Sequence, residues 1–299
     1  MDPVAEEGAV KREVRAAVLF LTPTAVLLTL FFFAPVIAGF ALSLTDFDLY
    51  TIGDIHNLRV VGVRNYRELF ASGVFWTAFI NTMYFALVGG PLTVLCSLAA
   101  AMLVNAKMTR YKAFFRTLYF APVVTTLVAV AIVFKYLYHP RYGLLNRSLA
   151  ILGLPQPDWL GDPRFAMFAI ILLAIWKQFG YTMLIFIAGL QNIPEDLIEA
   201  AQIDGAGPWG RFRHVTLPLL GPTFLFVGIV VAIGQFQVFA EPYVMTGGGP
   251  LNKTLTIVML MYQQGFKFWR MGYAAAVAFI LFLVIAAATV IQMRLQKNH

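Results

Sequence analysis

The chain has 299 residues, 60% of them hydrophobic and only 12% charged, with a mean hydropathy of +0.76. A soluble domain carries about a quarter charged residues, so this composition excludes an ordinary soluble fold and indicates an integral membrane protein. The net charge of +7 fits loops that face anionic lipid headgroups rather than nucleic acid, because no arginine-rich aromatic module accompanies it.

A spanning helix needs about 20 apolar residues. The first apolar run, 16–40, follows Lys11, Arg12 and Arg15. That order resembles a signal peptide, but the run exceeds the roughly 7–15 residues of a signal core. It is therefore expected to persist as a first span behind a cytoplasmic segment, residues 1–15. The second run, 75–104, carries Gly89, Gly90 and Pro91 near its middle, where a kink is expected. It also holds Cys96, the single cysteine, which excludes an intrachain disulfide and a thiolate metal site. Further spans are predicted at 114–138, 165–190, 217–240 and 273–293. The loop 241–272 contains "LTIVMLMY", too short to span and expected to form an interfacial or re-entrant helix. His56, His139, His214 and His299 are scattered along the chain, which argues against a metal centre. The predicted fold is an all-α integral membrane protein with six transmembrane helices, a single domain over 16–299.

Lysine and arginine set the orientation. Lys107, Arg110, Lys112 and Arg116 crowd one short segment, while the positive charges of the opposite loops are spread thinly. This predicts both termini on the cytoplasmic side. The outer loops then carry Trp76, Tyr136, Tyr138, Trp159, Tyr262, Trp269 and Tyr273, as an interfacial aromatic belt would.

The segment 191–216, between the fourth and fifth spans, has helix punctuation of its own. Asn192 is a candidate cap, Pro194 lies just inside the start, and Glu195 and Asp196 favour the first turn. Leu197, Ala200, Ala201 and Ile203 pattern as a helix face, Gly205 is placed to end the helix in a left-handed conformation, and Pro208 restarts it. Pro218 is expected to open the fifth span. The small residues Ala200, Ala201, Gly205 and Ala206 allow another surface to come close, which suits a docking element better than a solvated turn.

"EAA" at Glu199–Ala201, "DGA" at Asp204–Ala206, Phe212 and "LPLLGP" at Leu217–Pro222 together resemble the signature of the membrane subunits of ABC importers. "LQNIP" at Leu190–Pro194, "YGLLN" at Tyr142–Asn146, "DWL" at Asp158–Leu160, "YVMTGGGP" at Tyr243–Pro250 and "GYAAA" at Gly272–Ala276 resemble the carbohydrate-uptake branch, which includes the maltose-type and glycerol-3-phosphate-type permeases. The resemblance covers nearly the whole chain. It implies a membrane subunit that is not an enzyme and needs no cofactor, working with two ATP-binding subunits, a second homologous permease subunit and an extracytoplasmic solute-binding protein in a bacterial inner membrane. It also implies that Glu199, Ala200, Ala201, Asp204, Gly205, Ala206, Phe212 and Pro218 couple the spans to the ATPase. The chain contains no G-x-x-x-x-G-K-[ST] phosphate loop, consistent with ATP hydrolysis in a separate subunit.

Polar residues deep in a membrane helix are functional candidates by default. Lys177, Gln178 and Tyr181 in the fourth span, and Gln235, Phe236, Phe239 and Tyr243 at the end of the fifth, have the chemistry of a sugar path: amides for hydroxyls and aromatics for ring faces. Interhelical glue is the competing reading for Lys177 and the glutamines. Lys177 leaves two substrate classes open, a sugar or an anion such as glycerol 3-phosphate, with Glu241 as a possible intrachain partner. A secondary transporter that needs no ATPase would account for the spans and buried polar residues, though not for the structured cytoplasmic segment. A membrane enzyme would need clustered acids, bases or metal ligands within the spans.

Overall fold

The computed structural model describes residues 3–54, 56, 58–106 and 109–297. Residues 1–2, Lys107 and His299, invoked above, lie outside the described residues. Among the described residues every regular element is helical, apart from an isolated antiparallel bridge between Thr45 and Val60. Five stretches are long and apolar enough to cross a membrane, and a sixth arises if one sharply bent helix pair counts as a span.

The first span, Arg15–Ser43, is formed by α1 (Pro3–Leu28), a wide i→i+5 turn at Thr29–Phe33 and α2 (Ala34–Ser43). A short helix α3 (Leu49–Gly53) and α4 (Arg64–Ala71) follow. The second span, Gly73–Asn105, consists of α5 (Gly73–Tyr84), a wide turn at Phe85–Gly89 and α6 (Gly90–Asn105). Then come α7 (Lys112–Val124), α8 (Leu127–Leu137), α9 (Leu144–Ile151) and the long α10 (Ala166–Gln191). After it lie α11 (Glu195–Ile203), α12 (Pro208–Arg211), a wide turn at Phe212–Thr216 and α13 (Leu217–Leu219). The chain ends with α14 (Gly221–Phe236), α15 (Ala240–Met245), α16 (Ile257–Tyr262) and α17 (Met271–Lys297).

Three of the wide turns share one cause. Each is followed two residues later by a proline: Pro35, Pro91 and Pro218. Proline has no N–H, and its ring pushes away the carbonyl four residues earlier, which here is the middle residue of each turn. The helix absorbs the conflict by widening over one turn instead of breaking. The kink expected near Gly89–Pro91 therefore takes the form of a widened turn.

The described residues divide into two compact units. The first comprises residues 1–69 and 264–279. Its first span has none of its apolar window buried within the chain. Beyond that span the unit is stapled by side chains that satisfy loop carbonyls. Asn65 Nδ2 donates to the carbonyls of Ser43 and Thr45, both at 2.8 Å. Asp48 caps α3 by accepting from the backbone N–H groups of Tyr50 and Thr51. The Thr51 N–H is the largest influence holding that carboxyl below the usual carboxylate range. Gly272 N donates to Phe47 O at 2.9 Å, and a Cβ at Gly272 would lie 2.1 Å from the Thr45 carbonyl oxygen. The glycine of "GYAAA" is thus required by a backbone approach. Arg270 pairs with Glu68 at 2.5 Å and lies over the Tyr273 ring.

The second unit comprises residues 70–263 and 280–299, with α10 as its axis. Ile170, Ile171, Leu173, Met183 and Phe186 of α10 are fully buried. They join two core clusters, one with Phe85, Tyr138 and Val238, the other with Leu98, Leu220, Val227 and Val231. Gly180 lets α7 touch α10 directly, since a Cβ there would lie 1.8 Å from the Tyr119 carbonyl oxygen.

Several expectations are corrected. The run 114–138 is not one straight helix: α7 and α8 are bent by 97° at Thr125 and Thr126, both extended. Pro122 removes a donor one turn earlier, and the Thr125 hydroxyl takes the Pro122 carbonyl at 2.6 Å. Asn192 does not cap α11; it closes α10, and Pro194 stands at the N-cap with no side-chain bond. Pro218 does not open the fifth span, which starts at Gly221 with Pro222 in its first turn. Tyr138 and Tyr273 are 4% and 5% exposed, so they are core residues rather than members of an outward aromatic belt. The "LTIVMLMY" stretch does form a short helix, α16, with Ile257, Met259 and Leu260 buried.

Candidate functional site

Two regions of the second unit carry the residues singled out from the sequence. The first is the segment between α10 and α14. α11 starts after Pro194 with Glu195 and Asp196 in its first turn, where carboxylates offset the helix dipole. It ends as predicted at Gly205, whose φ is +82°. Ala206 N donates to Ala201 O (2.9 Å) and Gly205 N to Gln202 O (3.1 Å). That pair of bonds is a Schellman closure, which needs a left-handed residue where Gly205 stands. Pro208 then begins α12, and the chain continues helical through Phe212–Thr216.

The segment has two faces. Ile193 is buried, and Ile198 and Phe212 pack against the cluster of Leu98, Met183 and Leu220, which anchors the segment on the spans. Leu197, Ile203 and Trp209 point away, with Ile203 87% and Trp209 72% exposed. Glu199, Ala200, Asp204, Gly205 and Pro218 are exposed as well, and Ala201 and Ala206 are half-buried. Two large exposed apolar side chains flanking an acidic, small-residue helix end form a surface that water alone does not explain.

The second region is a cavity of about 60 Å³ lined by Phe85, Lys177, Gln178, Gly234, Gln235 and Glu241, among others. It brings Lys177 and Gln178 of α10 together with Gln235 of α14, as the sequence suggested, and adds Glu241. Gln235 is 5% exposed; its Nε2 makes a long 3.5 Å contact with Thr93 Oγ1, and its Oε1 has no partner. Gly89 leaves room for that oxygen, because a Cβ there would come within 3.2 Å of it. Lys177 Nζ donates to the carbonyls of Pro122 (2.6 Å), Val123 (3.1 Å) and Thr125 (2.7 Å). The other candidates lie elsewhere. Phe239 and Tyr243 stack at 5.1 Å and meet Tyr262 in an aromatic cluster. Phe236 is buried and faces a different groove, shared with Pro91 and Gly228. Tyr181 is 41% exposed. The cavity is far below the roughly 300 Å³ of a small-molecule pocket, so it is closed in this conformation.

The remaining motifs are mostly scaffolding. Asn146 of "YGLLN" donates to the carbonyls of Pro140 and Pro157 and accepts from Trp159 Nε1 of "DWL" at 2.8 Å. Gly143 is forced, since a Cβ would lie 2.4 Å from the carbonyl oxygens of His139 and Leu137. In "YVMTGGGP" Gly247 and Gly248 have φ of +63° and +93°. Asn81 Nδ2, a residue that the sequence reading did not single out, holds the same loop through the carbonyls of Asn252 and Leu255. A lone asparagine inside an apolar run was the available signal. Among the described residues no group of three His, Cys, Asp or Glu stands close enough to hold a metal ion.

Residues 16–298 match the family described as the binding-protein-dependent transport system inner membrane component. The chain belongs to this family. It is therefore a multi-pass inner-membrane permease component and not itself the ATPase. The permease is 37% identical over 279 residues to the lactose transport system permease protein LacF of Rhizobium radiobacter, covering 92% of this chain and 91% of that one. It is 34% identical over 285 residues to the arabinooligosaccharides transport system permease protein AraP of Bacillus subtilis, covering 95% and 89%. A chain of the bacterial alginate ABC transporter, solved in complex with an alginate pentasaccharide-bound periplasmic protein, shares the fold with a TM-score of 0.77 at 22% identity, covering 97% of this chain and 96% of that one.

Proposed function

We propose that this permease carries a sugar or oligosaccharide, with both termini in the cytoplasm and segment 191–216 as the helix that docks on an ATP-binding subunit. The two-faced geometry of that segment carries the reading: Ile193, Ile198 and Phe212 tie it to the spans, while Glu199, Ala200, Ile203 and Trp209 are presented outward. A helix fixed on one side and bare on the other passes a push along rather than absorbing it. The Schellman closure at Gly205 sets the angle between α11 and α12, and in this reading the two move together.

The relatives support the substrate class. LacF is a lactose permease and AraP an arabinooligosaccharide permease, each matched over about nine-tenths of its length. Gln178 and Gln235 at the closed cavity supply amides for hydroxyls, and the Phe239–Tyr243–Tyr262 cluster supplies ring faces. Phe236 and Tyr181 complete the proposed path in its open state. The first span, bare within the chain, fits a second homologous permease subunit and lipid. A solute-binding protein on the outside and two ATP-binding subunits complete the importer.

Screening the cognate binding protein by thermal shift against sugars and phosphorylated polyols identifies the cargo. Uptake of that cargo by the reconstituted transporter then tests the docking role. Glu199→Lys and Gly205→Trp are expected to lower uptake at least tenfold while the permease still inserts and assembles. Normal uptake with Gly205→Trp would remove Gly205 and its turn from the coupling path.

A further inference from the structure

The bend in the third apolar run creates a problem that its own residues solve only in part, because the Thr125 N–H and hydroxyl reach the Pro122 carbonyl alone. α7 ends at Val124, inside a stretch apolar enough to lie in the bilayer, and a helix leaves its last four carbonyls without intrahelical donors. In hydrocarbon each such group costs several kcal/mol. Lys177 has the complementary problem, because an ammonium near the middle of α10 is expensive in the same medium. The two are solved together. The Lys177 Nζ lies 2.6–3.1 Å from the carbonyls of Pro122, Val123 and Thr125, so its three N–H donors meet three acceptors at the negative end of the α7 dipole.

We propose that Lys177 is a positioning residue that closes the C-terminal end of α7 and fixes the bend between α7 and α8. It is not a subsite for an anionic substrate. An ammonium has three donors, and all three are committed here, which leaves none for a phosphate or carboxylate. The glycine contact one turn along, where the Tyr119 carbonyl lies against Gly180, seats α7 on α10 and brings the lysine within reach. The ligand groups of the adjoining cavity are then the amides of Gln178 and Gln235 and the carboxylate of Glu241. This set suits an uncharged polyhydroxylated solute. The substrate part of the inference rests on the sugar-path reading above; the closing role of Lys177 does not.

The test uses the assembled transporter in lipid nanodiscs, with spin labels at the exposed positions Leu118 on α7 and Val133 on α8. Wild type and Lys177→Arg are expected to give one narrow interlabel distance, and Lys177→Met a broad distribution. Lys177→Ala should broaden it too and narrow again when propylammonium is added to fill the gap between the carbonyls. A wild-type distribution in Lys177→Met overturns the closing role. If Lys177→Met fails to assemble, recovery of assembly by Lys177→Arg, or by propylammonium with Lys177→Ala, supports the role, and failure of both overturns it. Inorganic phosphate is the probe for an anion subsite. No phosphate-dependent shift in thermal stability is expected in wild type, and a shift that Lys177→Met abolishes overturns the exclusion of anions. A sugar retained by the binding protein but not transported would instead count against the path reading and leave the bend intact.

Discussion

At Gln235 the side-chain amide makes one long donor contact and has an acceptor oxygen with no partner, although the residue is 5% exposed. Its polar neighbours behave differently: Thr93 and Ser97 return their hydroxyls to the carbonyls of Gly89 and Thr93, the usual way a membrane helix satisfies such groups. An unsatisfied buried acceptor costs about 1–3 kcal/mol. If Gln235 served only to hold helices together, replacing it would loosen the bundle. If it waits for a ligand, Gln235→Met removes the orphan atom, keeps the volume, and should stabilise the transporter by about 1 kcal/mol while lowering uptake. Thermal unfolding and uptake of the same preparation separate the two, and a loss of stability would assign Gln235 to packing. The sequence revealed Gln178, Gln235 and Lys177 because each is polar in an apolar run. It did not reveal what Lys177 does, since its acceptors lie 52 to 55 residues earlier and converge only once the third run bends.

Among the elements, the seam between α7 and α10 depends on Gly180. A Cβ there would sit 1.8 Å from a backbone oxygen, and backbone cannot swing aside as a flexible side chain can. Gly180→Ala is expected to destabilise by about 3 kcal/mol and to broaden the α7–α8 geometry by moving Lys177 off its acceptors. Gly234→Ala is the control: nothing lies within 4 Å of its added Cβ, so helix propensity alone should make it neutral or stabilising by up to about 1 kcal/mol. Equal losses from both, measured by thermal unfolding, would mean that the seam tolerates a shift. Element existence was legible because apolar runs are long; element shape was not. A kink is expected at Pro91 and a helix start at Pro218, yet these two prolines and Pro35 each sit after a widened turn and the helix continues. The break occurs instead at Thr125 and Thr126, where Pro122 withholds one donor and the Thr125 hydroxyl and Lys177 supply others to the carbonyls. One of those donors, Lys177, comes from another helix, and the local sequence of the third run does not carry that information.

For the whole molecule, the family signature was readable because so much of it is physically forced. Gly205 needs positive φ, Gly272 and Gly143 need to lack a Cβ, and Asn146 and Trp159 satisfy one another and the loop carbonyls. Residues required by backbone geometry form recognisable spacings, whereas the amides proposed to meet the cargo, Gln178 and Gln235, belong to no such motif. Charge density predicts the orientation, and the bend gives that prediction a sharp test, because α7 and α8 either cross the membrane as a pair or turn back within it. Single cysteines in a Cys96→Ser background decide this, placed at the exposed positions Tyr111, Ile151, Ile203 and Leu251. With both termini inside and the pair crossing, an impermeant maleimide added from outside should label Ile151→Cys and Leu251→Cys and spare Tyr111→Cys and Ile203→Cys. Inverted vesicles should reverse the pattern. Ile151 and Leu251 are separated by α10 and the fifth span, so they must share a side, and Ile203 must lie opposite them. Tyr111 is the discriminating position: labelling on the same side as Ile151 would make the bent pair re-entrant and leave five spans. Labelling of Ile203→Cys from outside would put segment 191–216 on the wrong face for an ATPase and end its assignment as the docking helix.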